Sequence, residues 1–306
     1  MITERLTKIA TVLAIVLGTA GYANAQSVTV AGVEITKDAA LAALLPEKYR
    51  EKGLRAEFNP PQPPFSMIDD AGKPYGLLID FGNAIAARLG TTLTLGRVTH
   101  DSIIPALQAG NYDFMLGTDA DTEARQKMVN LVNYMGYGVS LVVKEGNPQN
   151  LKTGKDLCGK RLAVLKGWSP PNYFDSLSVD CKARGLPAVN ITTLPNTPDT
   201  ILAVRSGASD ATFVSTPTAL GATKAIEGGK VMVVSPKEAP LGWNTQLHGL
   251  LVLKQNEELT KALSATVNSL LVDGTLKKLF QQYGLAENML LDKVIVNQAL
   301  PDTGLN

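Results

Sequence analysis

The sequence predicts an α/β protein of two lobes, and three observations predict it. Helix and strand patterns alternate from Leu54 to Leu116. A break follows at Glu145-Gly146-Asn147-Pro148, and a second alternating series opens at Arg161. The chain has 306 residues, enough for two lobes of roughly 100–150 residues each beyond a leader.

Residues 1–25 read as that leader. Arg5 and Lys8 make a basic start, Ile9 to Gly18 is apolar, and Ala23-Asn24-Ala25 offers the small residues a signal peptidase reads. The apolar run is about half the ~20 residues a membrane-spanning helix needs. The expectation is export, with cleavage near Ala25 and a mature chain that is not membrane-embedded. No cysteine near the cut offers a lipid anchor.

Residues 26–52 form an N-terminal extension with one helix, Ala39 to Leu45, capped by Asp38 and stopped by Pro46. Leu54 to Phe58 alternates as a strand. Asn59-Pro60-Pro61-Gln62-Pro63-Pro64-Phe65 is a rigid loop, since proline fixes φ and cannot donate to a sheet. Ser66 to Ile68 is a short strand and Asp69 to Lys73 a turn. Phe81 to Leu89 is a helix stopped by Gly90. Thr91 to Val98 is a strand, Ile103 to Ala109 a helix, and Phe114 to Leu116 a short buried strand. These connections imply a mainly parallel sheet. Val139 to Lys144 is a strand leaving this lobe.

The second lobe opens with the strand Arg161 to Leu165, then Gly167-Trp168-Ser169-Pro170-Pro171 before a helix. Strands follow at Val189 to Thr193, Ala211 to Val214 and Val231 to Val234, with a helix at Thr200 to Arg205. Leu250 to Leu253 is a return strand, and helices span Glu257 to Val272 and Leu276 to Tyr283. The tail beyond Ala286 carries no readable pattern.

Charge bounds the function. Lys and Arg number 29 against 28 Asp and Glu, so nothing recommends a nucleic-acid or anionic-membrane partner. His100 and His248 lie far from each other and from the cysteines, without metal-ligand spacing. Neither a metal nor a cofactor is expected. Cys158 and Cys181 are the two cysteines, and in an exported chain they are expected to pair. Closing that loop of roughly 23 residues stabilises by about 3 kcal/mol.

One local pattern points to ligand chemistry. Asp119-Ala120-Asp121-Thr122-Glu123-Ala124-Arg125 is a loop entering a helix, with an arginine in its first turn. A planar guanidinium donates two parallel hydrogen bonds to a carboxylate, and Thr122 as cap would fix its direction. A surface arginine paired with Glu123 is the competing reading of those residues.

The chain resembles the polar-amino-acid group of periplasmic solute-binding proteins of ABC importers. The resemblance runs from Leu54 to Leu285. It is carried by Pro63-Pro64-Phe65, Gly76-Leu77-Leu78-Ile79-Asp80-Phe81, Ile104 to Gly110, Thr122 to Arg125, Ala163 to Gly167, Ser206 to Ala211 and Leu271 to Thr275. It implies the two-lobed type II periplasmic binding protein fold, with two hinge strands and the ligand between lobes. Lobe 1 would be residues 53–140 and 247–285, lobe 2 residues 141–246, and 286–306 a C-terminal tail. It also implies a monomer outside the cytoplasm, not an enzyme, that captures a small carboxylate and hands it to the permease subunits.

Residue by residue, the resemblance sets Arg125 on the ligand carboxylate and Thr118 beside it. Asp119 and Asp121 either cap the helix or meet a cationic ligand group. Phe65 stands where relatives have a residue near the cleft, and Gln62 where they often have a stacking tyrosine. His100 stands where they have an apolar wall. Gly167-Trp168-Ser169 matches the glycine and two small hydroxyl residues that meet the carboxylate at a helix start; Ser169 keeps one hydroxyl, and Trp168 departs from the pattern, either stacking on the ligand in place of the wall lost at Gln62 or plugging a hinge. Ser215 replaces the aspartate that takes the α-ammonium in amino-acid-binding relatives. A buried ammonium needs a strong acceptor, so Ser215 leaves room for an amino-acid derivative or an organic acid. Two other functions compete. A cyclohexadienyl dehydratase on this fold would need a placed general acid, for which Lys166 and His100 are the cleft candidates. A sensor would need a separate membrane receptor.

Overall fold

The computed structural model describes residues 27–303 except 168–171, 226–229 and 236–239. The leader, Trp168 and Ser169 therefore lie outside the described residues.

The chain opens with an antiparallel hairpin, β1 (Ser27–Val30) and β2 (Val33–Thr36), and two short helices, α1 (Ala39–Leu44) and α2 (Glu47–Lys52). Asp38 caps α1 as expected, its carboxylate accepting from the backbone of Ala40 and Leu41. A single helix was expected here. Pro46 ends the first helix but also starts the second, because its missing N–H is no loss at a helix start. Val30, Ile35, Leu45 and Tyr49 are buried in one cluster with Phe81, Leu263 and Phe280. The extension is thus packed into lobe 1.

Lobe 1 continues with β3 (Leu54–Phe58), the short pair β4 (Met67–Ile68) and β5 (Pro74–Tyr75), α3 (Leu77–Leu89), β6 (Leu93–Arg97), α4 (Ile103–Gln108), β7 (Phe114–Ala120) and α5 (Glu123–Gln126). The next strand, β8 (Val129–Lys144), carries the chain into lobe 2. There follow β9 (Arg161–Leu165), α6 (Asn172–Ala183), β10 (Asn190–Leu194), α7 (Thr197–Ser206), β11 (Ala211–Ser215), α8 (Thr216–Ala225) and β12 (Val231–Val234). The strand β13 (Trp243–Leu253) returns to lobe 1, where α9 (Glu257–Val272), α10 (Thr275–Gln282) and β14 (Leu290–Val296) close the fold.

Strand order is β10-β9-β11-β8-β13-β7-β3-β6. The outer parts of both lobes are parallel, β3 with β6 and β7, and β9 with β10 and β11. The centre is antiparallel, which corrects the expected mainly parallel sheet. β13 pairs β8 from Leu253–Val129 to Trp243–Val139, and β11 and β12 take up the far end of β8. These two long strands are the hinge pair. They approach closely because glycine lines the contact: a Cβ on Gly249 would lie 2.0 Å from the Val132 carbonyl, and one on Gly138 2.1 Å from that of Trp243.

Each lobe buries both faces of its sheet. Ile103, Leu107 and Met115 anchor the second apolar cluster of lobe 1. Phe213 and Trp243 meet edge-on in the main cluster of lobe 2, beside Cys181. The expected disulfide is present: Cys158 and Cys181 are bonded with Cα atoms 5.4 Å apart, tying the turn after Gly154–Leu157 to α6.

Candidate functional site

A cavity of about 590 Å³ lies between the lobes where the hinge strands cross. The lobes touch on both sides of it. Lys166 Nζ sits 2.6 Å from Asp101 across one rim. At the other, Gly221 is packed so closely on Pro63 and Pro64 that a Cβ there would lie 3.3 Å from the Pro64 ring. The structure is therefore a closed form.

Arg125 lines this cavity. It is aimed as the sequence implies: the Thr122 hydroxyl caps α5 by accepting from the Arg125 N–H. One arm of the guanidinium donates to the Ala120 carbonyl at 2.9 Å. The other reaches Asp119 at 3.1 Å. Asp119 also lies 3.1 Å from His100 Nε2. Burial pushes the Asp119 carboxyl upward, but Arg125 and then His100 outweigh it and hold the group well below the usual carboxylate range. Asp119 is thus the internal partner of Arg125, not a helix cap. Guanidinium has five N–H donors, so the arginine can still present N–H groups to a ligand oxygen.

Asp121 does not cap the helix either. It is fully buried and accepts from Gln126 at 2.7 Å, Asn133 at 2.6 Å and the Gln298 backbone at 2.8 Å. The last of these belongs to the C-terminal tail.

Thr118 faces the cavity, and its hydroxyl is bonded to the Gln62 amide at 2.9 Å. Its carbonyl accepts from the Tyr137 hydroxyl at 2.8 Å and faces His248 Nδ1 at 3.0 Å. The other ring nitrogen of His248 lies 3.0 Å from the Tyr137 carbonyl. The two rings stack with centroids 3.7 Å apart. Burial pushes the His248 imidazolium down to about 3, and a neutral ring donates to only one of these two carbonyls. Phe65, expected near the ligand, is completely buried behind this wall, 6.1 Å from Tyr137 centroid to centroid. It supports Tyr137 and does not line the cavity. His100 does line it, and its Nδ1 is buried without a partner.

Ser215 reaches the cavity from the end of β11, with its hydroxyl donated to Thr218 at 2.7 Å. Among the described residues, lobe 2 lines the cavity with Leu165, Thr197, Phe213, Val214, Ser215 and Thr218, none of them charged. Trp168 and Ser169 cannot be placed against it. Among the described residues no cluster of three or more His, Cys, Asp or Glu is arranged for a metal ion, and no helix is long and apolar enough to cross a membrane.

Sequence reasoning missed Tyr137, His248 and the tail residues Ala299 to Asp302, all of which line the cavity. His248 had one signal, as one of two histidines. Tyr137 had none, lying in an unbroken buried run.

Residues 54–286 match the bacterial extracellular solute-binding proteins, family 3. The arginine-binding protein ArgT of Corynebacterium glutamicum is 25% identical over 84% of this chain and 83% of its own. The L-cystine-binding protein TcyJ of Escherichia coli is 28% identical over 77% of this chain and 84% of its own. The structure of an ancestral arginine-binding protein bound to arginine superposes with a TM-score of 0.66 at 29% identity, covering 75% of this chain and 97% of that one.

Proposed function

Because this chain belongs to the bacterial extracellular solute-binding proteins of family 3, and so binds a solute outside the cytoplasm, we propose that its solute is an amino acid or a close derivative. In this reading Arg125 holds the ligand carboxylate, and the closed complex is delivered to an ABC importer. The leader would direct export and be cleaved near Ala25. The lobes would divide near residues 141 and 246, where β8 and β13 pass between them.

One observation carries the reading. Arg125 is the guanidinium that reaches the closed cavity, and it is held there by Asp119 and the Ala120 carbonyl. Among the described residues the opposite wall is neutral and rich in hydroxyls, with Thr197, Ser215 and Thr218. Such a pocket suits a short zwitterion or its derivative: one charged clamp, several neutral hydrogen-bonding groups and an aromatic floor at Tyr137. The names of ArgT and TcyJ support amino acids as the first solutes to try.

The test is calorimetric titration of the mature protein with L-arginine, L-cystine and the other common amino acids. A charge-assisted pair is worth about 1.5–3 kcal/mol, so Arg125→Ala should weaken the best ligand by roughly 10- to 100-fold. Arg125→Lys keeps the charge beside Asp119 but loses the fork, and should also bind less tightly. Unchanged affinity in both variants would overturn the assignment.

A further inference from the structure

The segment after β14 does not leave the molecule. Asn297 turns it inward: its φ of 56° is left-handed, a conformation that asparagine tolerates. Its N–H donates to the Leu131 carbonyl at 3.1 Å, its side-chain oxygen accepts from the Leu131 N–H at 2.9 Å, and its amide donates to Asn130 at 2.9 Å. Gln298 then donates its N–H to the buried Asp121. Farther on the tail is held again. The Pro301 carbonyl accepts from Gln246 at 3.3 Å, and the Thr303 N–H donates to Asn244 at 3.1 Å. Asn244 and Gln246 lie on the hinge strand β13, where its register with β8 shifts.

Between these anchors the chain has little freedom. A stretch of about five residues reaches at most ~17 Å, and Pro301 fixes its own φ. The strap runs from the Asp121 end of β7 to the hinge strand, and Ala299, Leu300 and Pro301 on it line the cavity. Leu300 is the longest of these three side chains and is half-buried. A side chain held from both ends bounds the space beside it. An apolar wall of this kind discriminates by size. A ligand that stops short of it forgoes apolar contact, and one that overfills the space has to displace packed atoms. With the ligand carboxylate on Arg125, the wall limits how far the rest of the ligand extends along the strap.

We infer that Leu300 is a specificity-determining residue of the ligand site: carried on a fixed strap, it sets the size of the side chain that the cavity accepts. This deepens the amino-acid reading above and rests on it. Selection by size is then the work of the C-terminal tail, past residue 286, where the match to the family ends.

The experiment uses the wild type, Leu300→Ala and Leu300→Phe as mature proteins. Each is titrated calorimetrically with the common amino acids, L-citrulline and L-cystine, and its melting temperature without ligand is recorded. Leu300→Ala should weaken the best wild-type ligand roughly 5- to 30-fold and shift the order of affinities towards longer side chains. Leu300→Phe should shift the order towards shorter ones. A shift in the stated direction in either variant supports the inference, so one variant suffices should the other not fold. Affinities that stay unchanged for every ligand in both variants overturn it while the amino-acid reading stands. A loss by the same factor for all ligands also overturns it, because the tail would then only brace the hinge, and so does a shift in the reverse direction. A wild type that binds no member of the panel overturns both readings together.

Discussion

Glu57 offers a sharp test of the electrostatics beneath the site. It sits on β3 with its side chain fully buried and neither carboxylate oxygen hydrogen-bonded. Its parallel neighbour on β7 is Met115, a member of the apolar cluster with Ile103 and Leu107. Burial there, and secondarily the charge of Asp119, push its pKa up to about 8. A carboxylic acid whose folded value lies above its unfolded value binds its proton more tightly when folded. Folding is then favoured at low pH, and the advantage is lost between the unfolded value, near 4.5, and the folded value, near 8.

The useful window is narrower. His248 works in the opposite sense: its folded value is pushed down to about 3 from 6.5, so its contribution is present above 6.5 and lost as pH falls towards 3. From about pH 4.5 to 6.5 the two slopes oppose each other. The depressed carboxylates Asp101, Asp119, Asp210, Asp273 and Glu287 act below their ordinary values of 3.8 and 4.5, and the raised tyrosines Tyr134, Tyr137 and Tyr283 act above 10. Between pH 6.5 and 8 Glu57 dominates. A slope of ~1.4 kcal/mol per pH unit across about 1.5 units predicts a loss of on the order of 2 kcal/mol in unfolding free energy. Glu57→Gln removes the titration and should flatten the curve over that window. Urea denaturation of the ligand-free mature protein at pH 6.5, 7.2 and 8.0 measures both. A wild type whose stability is flat over this range, or a Glu57→Gln variant that falls in parallel with it, would refute the argument.

Two further outcomes follow from contacts outside the cavity. Replacing Cys158 and Cys181 together by serine should cost about 2–4 kcal/mol and lower the melting temperature by several degrees, read by calorimetry with and without reductant; equal melting of the two chains would count against it. The exposed Lys166–Asp101 pair bridges the closed rim, so Lys166→Ala should weaken ligand by less than about fivefold at low salt and by nothing measurable near 1 M salt, with a loss that persists in salt pointing to a direct ligand contact.

How much was legible follows from where each element's information lies. β3 and α9 have the bounds their patterns predict, Leu54–Phe58 and Glu257–Val272, because alternation and a 3.6-residue stripe are local signals. The first half of β8 was not read as a strand. Val129 to Gly138 is buried on both faces and so shows no alternation. Arg125 was found because a capped helix start is also local. The wall formed by Tyr137 and His248 was not, since their stacking depends on a register between strands 111 residues apart in the chain. The tail was least legible of all. Its carbonyls and N–H groups have no side-chain pattern to announce them, and its anchor Asp121 lies 177 residues before Gln298.

Asp119 and Asp121 show why two similar residues could not be told apart in the sequence. Two positions apart at the end of β7, they differ in what the fold brings to them. Asp119 meets Arg125 and His100, and the arginine's charge keeps it ionised despite burial. The pair of Arg125 and Asp119 is then close to neutral, which would limit the pull on the carboxylate proposed for the ligand. Glu57 matters for the same reason: protonated, it adds no second anion beneath Asp119. Asp121 meets only uncharged donors from Gln126, Asn133 and Gln298. A buried carboxylate with three such donors is a strong anchor for a backbone N–H, and here the backbone is that of the tail. One aspartate therefore holds the Arg125 guanidinium, while the other fixes the tail segment whose residues Ala299 to Asp302 line the cavity.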